Sequence, residues 1–174
     1  MKKILRTPFS KEDILSLNAG DTVELSGIVY TGRDAAHKRL CAMLDNGEKL
    51  PVDLNGQAIY FVGPCPAPPG RPIGSAGPTT SGRMDAYSPR IIAECGLRAM
   101  IGKGDRGAAV KAAMQEHGCV YFAATGGAGA LIANCIANAE VIAFDDLGPE
   151  AIYKLELDSL PLVVAIDAHG KSLY

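Results

Sequence analysis

The sequence predicts an α/β fold in which a β-rich first half is joined by a proline-rich segment to an alternating αβ layer with a partly parallel sheet. Three patterns support this prediction. β-Branched, alternating residues come early in the chain, five prolines fall between Gly63 and Gly77, and strand and helix patterns alternate after Lys103. Because 48% of the 174 residues are hydrophobic, the chain can bury a core, and we expect one domain over residues 1–174.

The first half is predicted to contain two helices and several strands. Ser10 stands before an acidic first turn, as an N-cap does, and Thr22–Tyr30 alternates and is rich in β-branched residues. The predicted elements of this half are a helix within Thr7–Leu17, a strand over Thr22–Tyr30, a helix over Ala35–Leu40, and strands over Leu50–Leu54 and Ala58–Val62.

The segment Gly63–Gly77 is predicted to be an extended, stiff connection. Proline fixes φ and removes a backbone donor, so a run of this composition cannot join a central strand. We expect it to link the β layer to the αβ layer and to aim the loop that follows.

After this connection, helices and strands alternate. Ser88-Pro89 is a helix start and Gly96 is placed to end that helix. The predicted elements are a helix from Ser88 to Gly96, a strand over Leu97–Ile101, a helix over Asp105–Gly118, a strand over Cys119–Ala124, a helix from Gly126 to about Asn134, a strand over Val141–Phe144, and two strands, Ala151–Leu157 and Leu162–Ile166, separated by a break at Pro161.

The composition of residues 74–83, GSAGPTTSGR, is that of an anion cradle. Its small residues allow close backbone approach, Thr79, Thr80 and Ser81 supply hydroxyls, and Arg83 follows as a helical pattern begins. Arginine forms two-pronged bonds to carboxylate or phosphate. Lys103 lies in a Gly-Lys-Gly turn at the carboxyl end of a predicted strand, the sheet edge where ligands bind in open α/β folds. The sequence therefore predicts a site for an anion, with phosphate and carboxylate both open.

The charge balance excludes several classes of partner. The formal net charge is −2, with 17 basic and 19 acidic residues, so the chain has no basic field for nucleic acid or an anionic membrane. The apolar runs are far shorter than the ~20 residues of a membrane span, and the start, MKKILRTPFSKED, is too brief in apolar residues for a signal peptide. We expect a soluble, cytoplasmic protein.

The five cysteines predict no metal site in this chain. They are scattered without a C-x-x-C pair, which indicates a reducing compartment. Cys95, Cys119 and Cys135 stand in apolar contexts where a thiol behaves as a small hydrophobe, whereas Cys65 stands in a loop just before the cradle.

Two other groups of residues leave alternatives open. Thr125–Gly129 follows a predicted strand, and Asp145 and Asp146 stand about where a ribose-binding acid would, but the glycine spacing fits a dinucleotide fingerprint poorly. The histidines are interpreted as surface or helix-end residues, although His37 lies one helical turn beyond Arg33 and a role near the pocket stays open. Arg33 itself is either a solvated charge or a strand-end binding residue.

The strings GSAGPTTSGRMD and MIGKG, taken together, closely resemble the signature of the β subunit, or C-terminal domain, of the iron–sulfur hydro-lyases, the class I fumarase and L(+)-tartrate dehydratase family. The resemblance extends over nearly the whole chain. It implies a swivelling β/β/α domain that adds or removes water on a small dicarboxylate, fumarate or malate or tartrate, in a site shared with a second subunit.

The resemblance also implies roles for individual residues. Arg33, Arg83 and Lys103 would hold the carboxylates, Thr79 would move the proton from the carbon next to a carboxylate, and Thr80 and Ser81 would support the loop. All four of the first-named positions match the family's motifs. Cys65 stands where a small polar residue is expected in the family's loop.

In that family a [4Fe–4S] cluster is carried by three cysteines of the larger subunit or N-terminal domain. Since this chain begins with its own Met1 and has no persuasive set of cluster ligands, we expect a cluster-bearing α subunit as partner and no activity without it. A hetero-oligomer follows, with a homodimer left open for the isolated chain. The alternative function is a stand-alone small-anion or dinucleotide-binding module.

Overall fold

A computed structural model describes residues 2–64, 67–74, 76–124 and 132–174. The strands, numbered in chain order, are β1 (Lys2–Arg6), β2 (Thr22–Thr31), β3 (Ala58–Tyr60), β4 (Ala99–Gly102), β5 (Val120–Ala123), β6 (Ile136–Ala143) and β7 (Ile152–Ile166). The helices are α1 (Lys11–Leu15), α2 (Asp34–Asp45), α3 (Ser88–Cys95) and α4 (Ala108–His117), and short 3₁₀ turns span Ser81–Met84 and Asp145–Glu150. None of the described helices is long and apolar enough to cross a membrane.

The seven strands form one mixed sheet, which confirms the predicted α/β class and the partly parallel sheet. Strands β1 to β5 lie side by side and parallel in the order of the chain. The long strand β7 runs antiparallel to β5, to β6 and also to β2. Because β7 pairs with both β5 and β2, the sheet closes on itself through β2, β3, β4, β5 and β7.

Closure gives the sheet an inner and an outer face, and each face has its own hydrophobic cluster. Along β3 the side chains alternate as a strand requires: Ala58 and Tyr60 join the inner cluster, whereas Ile59 and the following Phe61 join the outer one. The outer cluster also contains apolar residues of α2, α3 and α4, so these helices cover that face.

Several predicted elements are confirmed with small shifts in their bounds. Ser10 caps α1 in a capping box, in which its side chain accepts a hydrogen bond from the Asp13 amide and the Asp13 carboxylate accepts one from the Ser10 amide. Gly96 ends α3 in the left-handed conformation, at φ 69°. The predicted helix beginning at Gly126 falls mostly outside the described residues.

Two predictions of the secondary structure are wrong, and one strand was missed. Residues 50–54 form a loop and not a strand, since Pro51 has no donor and the Asp53 carboxylate accepts the Asn55 amide at 3.0 Å. The strand β1 was missed because its five residues are ordered only by pairing with β2. Strand β7 continues through Pro161, which pairs with Glu24 of β2. On its other edge β7 passes from β6 to β5 at this point, so the ladder there is already interrupted.

Candidate active site

The predicted site residues lie on loops at the carboxyl ends of three neighbouring parallel strands. Residues 32–34 follow β2, residues 61–63 follow β3, and residues 102–104 end β4 and begin the turn after it. The carboxyl ends of parallel strands meet at one edge of a sheet, which is where an open α/β sheet binds ligands. The second half of the cradle, residues 79–83, lies at the same edge and is held there by backbone hydrogen bonds.

Backbone contacts hold the cradle against β3 and β4. The Thr79 amide donates to the Phe61 carbonyl oxygen at 2.7 Å, and the Ser81 amide donates to the Lys103 carbonyl oxygen at 2.9 Å. Thr80 forms an isolated parallel bridge with Lys103. The Thr79 side chain is partly buried, whereas Thr80 and Lys103 are exposed. Thr79 therefore immediately precedes the residue that pairs with Lys103.

Ser81 is buried and anchors the cradle to the sheet through its hydroxyl. Its hydroxyl lies 2.7 Å from the hydroxyl of Tyr121, which donates to the Gly104 carbonyl oxygen at 2.8 Å. A Cβ atom at Gly102 would lie 1.9 Å from Ser81 Oγ, so only glycine allows this approach. Burial raises the pKa of Tyr121, which keeps its hydroxyl neutral. Ser81 is thus held between Gly102 and Tyr121, and the supporting role that the resemblance implies for it stays a prediction.

Arg83 is bound to an internal carboxylate. Its Nε and Nη2 atoms both donate to Asp34 Oδ2, each at 2.9 Å, while 55% of the arginine side chain stays exposed. The second oxygen, Asp34 Oδ1, is buried and has no hydrogen-bond partner among the described residues. The structure therefore brings Arg83 to the residue that follows Arg33, with part of its guanidinium still open to solvent.

Arg33 is not the solvated surface charge that was one interpretation of the sequence. It stands at the N-cap of α2, and its side chain passes so close to Gly63 that a Cβ there would lie 3.0 Å from Arg33 Cδ. Its Nε atom is buried without a hydrogen-bond partner among the described residues. An unpaired buried donor is costly, and an anion that accepts from this nitrogen would relieve that cost.

His37 is buried beneath Arg33, so its interpretation as a surface or helix-end histidine is wrong. Its Nδ1 atom donates to the Arg33 carbonyl oxygen at 2.8 Å, and the ring packs edge-on against Phe61 with the centroids 5.4 Å apart. Burial lowers the pKa of His37 to about 4. His37 is therefore neutral at physiological pH and fixes the backbone that presents Arg33.

Two further residues of this edge were missed by sequence reasoning. Asp34 binds Arg83, and Arg106 lies wholly buried under the cradle, where its Nε atom donates to Asp85 at 2.7 Å. A signal for Asp34 existed in its position next to Arg33. For Arg106 the available signal was a further arginine two residues after the Gly-Lys-Gly turn.

The described residues do not fit a metal or an iron–sulfur cluster. Among them no three histidine, cysteine, aspartate or glutamate side chains form a group that could hold a metal ion. Burial raises the pKa of the thiols of Cys41, Cys95 and Cys135, and raises that of Cys119 to about 12, whereas a cluster ligand is a thiolate. Cys65 lies outside the described residues.

The dinucleotide alternative finds little support in the described part of the chain. Asp146 is engaged by Arg39, whose Nη1 and Nη2 atoms donate to its two oxygens at 2.8 Å each. An arginine thus occupies one face of the carboxylate that the sequence offered as a ribose-binding acid. The glycine-rich residues 125–129 lie outside the described residues.

Comparison with known proteins gives consistent matches. The family described as Fumarase C-terminus matches residues 2–174. A candidate L(+)-tartrate dehydratase beta subunit of Methanocaldococcus jannaschii is 41% identical over 170 residues, which are 95% of this chain and 87% of that protein. A candidate class I fumarate hydratase of Geobacillus stearothermophilus is 42% identical over 174 residues, 98% of this chain and 33% of that protein.

The aerobic class I fumarate hydratase of Escherichia coli K12 is 38% identical over 153 residues, 87% of this chain and 28% of that enzyme. The chain thus spans about a third or less of these fumarate hydratases and most of the tartrate dehydratase beta subunit. With a family match over residues 2–174 and identities of this size, the chain belongs to the Fumarase C-terminus family.

Proposed function

We propose that this chain is the β subunit, or C-terminal-domain equivalent, of a hydro-lyase that reversibly adds or removes water on a small dicarboxylate of the fumarate, malate or tartrate type. The observation that carries the proposal is the convergence of Arg33, Thr79, Arg83 and Lys103 on loops at one edge of the sheet. The fold class and the family match agree with a swivelling β/β/α domain, which we propose as its architecture.

The cations of this edge suit a substrate with two carboxylates. We assign the carboxylates to Arg33, Arg83 and Lys103, because arginine presents a planar fork and lysine a compact charge. Asp34 already occupies one side of the Arg83 fork, and the exposed remainder of the guanidinium is free to receive a substrate carboxylate. Asp34 then orients Arg83 while competing weakly for it.

We assign proton transfer to Thr79. In the dehydration direction, its deprotonated oxygen takes the proton from the carbon next to a carboxylate, the C–H electron pair forms the double bond, and the hydroxyl leaves the neighbouring carbon as hydroxide. The proton gained by Thr79 then converts this hydroxide to water and restores the alkoxide. A threonine hydroxyl is a poor base in water, but nearby cations in a site closed to solvent stabilise the alkoxide and the charge that develops on the carboxylate. In the hydration direction, the same hydroxyl returns the proton.

We further propose that the site is completed by an α subunit or domain that carries a [4Fe–4S] cluster. The described residues offer no ligands for such a cluster, and the fumarate hydratase relatives are about three times as long as the part that this chain matches. The assembly would be a hetero-oligomer that is inactive without the α component, and an iron–sulfur partner suits the reducing cytoplasm.

The proposal is tested by anaerobic reconstitution of the full chain with a cluster-bearing α subunit of this family. We expect hydration of fumarate, or dehydration of malate or a tartrate enantiomer, in the mixture and in neither component alone. A stable complex with an intact cluster that acts on none of these substrates would refute the proposal. Nucleotide retained by the isolated chain through gel filtration would favour the dinucleotide-binding alternative instead.

A further inference from the structure

A fully buried charged side chain lies directly under the cradle. The Arg106 side chain is 0% exposed, and its Nε atom donates to Asp85 Oδ1 at 2.7 Å. Its Nη2 atom donates to the Ser88 hydroxyl at 2.7 Å, and Nη1 lies 3.2 Å from the sulfur of Met100. Burial of a guanidinium costs several kcal/mol of desolvation free energy before it is paired. An apolar side chain could join the cradle to α3 without this cost.

The guanidinium also touches the two rings that hold the cradle. Its central carbon lies 5.1 Å from the ring centroid of Phe61 and 5.1 Å from that of Tyr121. The Phe61 carbonyl oxygen accepts the Thr79 amide at 2.7 Å. The Tyr121 hydroxyl lies 2.7 Å from Ser81 Oγ and donates to Gly104 at 2.8 Å. One side chain therefore packs against both residues that fix Thr79, Ser81 and the turn after Lys103.

We propose that Arg106 is a positioning residue, which sets the place of the Thr79 hydroxyl through the rings of Phe61 and Tyr121. The proposal rests on the function proposed above. Lysine at this position keeps the charge but loses the planar face that stacks on two rings and the fork that binds Asp85 and Ser88 together. The cradle then shifts by a fraction of an ångström.

Such a shift affects proton transfer more than substrate binding. The attraction between a cation and a carboxylate changes slowly with distance, whereas a misplacement of about 1 Å at the reacting atom costs about 100-fold in rate. In the reconstituted enzyme, Arg106→Lys should lower kcat by about 10- to 100-fold and leave KM for the dicarboxylate nearly unchanged.

The matched control is Arg98→Lys at the other end of β4. The Nη1 atom of Arg98 donates to the carbonyl oxygens of His117 and Gly118, at 2.7 and 3.2 Å, so its replacement also removes partly buried hydrogen bonds. Both variants should lower Tm, but Arg98→Lys should keep the wild-type kcat at a temperature where all three proteins are folded. Equal kcat values for the two variants would overturn the positioning role.

Amide hydrogen exchange on the isolated 174-residue chain supplies a second readout, which needs no catalysis. In the Arg106→Lys variant the amides of Thr79 and Ser81 should exchange at least about 10-fold faster, whereas the Val120 amide, which donates to the Arg98 carbonyl oxygen at 3.0 Å, should not. In Arg98→Lys the order should reverse. Unchanged protection of Thr79 and Ser81 would overturn the inference, while an inactive wild-type complex with altered protection would count against the proposed function alone.

Discussion

The two ends of strand β4 are built alike and carry opposite charge. At each end a glycine lies where a Cβ atom would collide with a polar side chain: Gly96 before the strand faces Asn55 Oδ1 at 2.5 Å, and Gly102 at its end faces Ser81 Oγ at 1.9 Å. An arginine follows each glycine within four residues: Arg98 donates to the His117 carbonyl oxygen, and Arg106 donates to the Asp85 carboxylate. Close packing of a glycine and an arginine that bonds to a neighbouring element therefore do not by themselves mark a binding site in this protein.

What differs is the charge beside each end. The amino end borders a groove of about 510 Å³ whose charged lining is mostly acidic: Glu48, Lys49, Asp53 and Glu94. The carboxyl end gathers Arg33, Arg83 and Lys103 against one carboxylate partner, Asp34. The chain therefore has a local cationic region although its net charge is −2. We expect equivalent substitutions at the two ends of β4 to change stability by similar amounts but to change activity only at the carboxyl end.

The largest expected effect belongs to the Thr79 hydroxyl. Thr79→Ala removes the proposed proton-transfer group, so kcat in the reconstituted enzyme should fall by about 1000-fold with little change in KM. The control is Thr80→Ala in the same loop, because Thr80 is exposed and its contact with Lys103 is made by the backbone. Steady-state kinetics on both variants decide the point. If Thr79→Ala retained more than a tenth of wild-type turnover, the assignment of proton transfer to Thr79 would be wrong.

The next effect compares the two glycines directly. Gly102→Ala must push Ser81 and Phe61 away, since the new Cβ would lie 1.9 and 2.9 Å from their atoms, and kcat should fall by about 100-fold as the cradle moves. Gly96→Ala meets Asn55 and places alanine at φ 69°. Each variant should lose roughly 1–3 kcal/mol of unfolding free energy. The comparison fails if Gly96→Ala, measured while folded, loses activity as severely as Gly102→Ala.

The contrast between these ends also explains what the sequence could and could not predict. The loops of Arg33, Thr79 and Lys103 were predictable because strand ends, glycines and hydroxyls are local signals. The pairing of Arg83 with Asp34 joins residues 49 positions apart, and that of Arg106 with Asp85 joins residues 21 apart. Such contacts depend on how helices pack on the outer face, which local patterns do not encode.

The same limit applied to the fold. Strand β1 forms by pairing with the edge of β2. Strand β7 continues through Pro161 because β6 pairs with the residues before this proline and β5 with the residues after it. The burial of His37 was likewise not predictable from local sequence: two basic residues follow it, but α2 places its ring under Arg33 and against Phe61. The family resemblance gave the site residues, whereas the reason for their positions came only from the three-dimensional packing.

A third prediction concerns stability at acidic pH. The pKa of His37 is lowered to about 4 in the folded chain, chiefly by burial, and is about 6.5 when unfolded. Between these values the unfolded state binds more protons, so stability is lost as pH falls below about 6.5. From pH 7 to 5 the loss from this group is about 2 kcal/mol. Urea unfolding across this range should show it.

The matched variants for this titration are His37→Gln and His117→Gln. Glutamine at position 37 should lower stability at pH 7, since the ring contact with Phe61 is lost, but it should flatten the dependence on pH. The His117 ring is 37% exposed at the amino-end side of β4, and its replacement should keep the slope because His37 remains. An equal slope in wild type and His37→Gln would show that other groups cause the acid sensitivity.

The smallest of the four effects tests the charge difference itself. Arg83→Lys keeps the positive charge but replaces the fork that now contacts Asp34 through two nitrogens, so a substrate carboxylate is held by fewer directed bonds. KM for the dicarboxylate should rise about 10-fold, with a smaller change in kcat. The control is Arg90→Lys, because Arg90 pairs with Asp45 and Glu94 away from the cationic edge. Its loss of two surface ion pairs should cost at most about 1 kcal/mol of stability and leave KM unchanged. If the two variants had the same KM, carboxylate binding would have to be assigned to Arg33 and Lys103 without Arg83, and the ion pair with Asp34 would be a structural contact only.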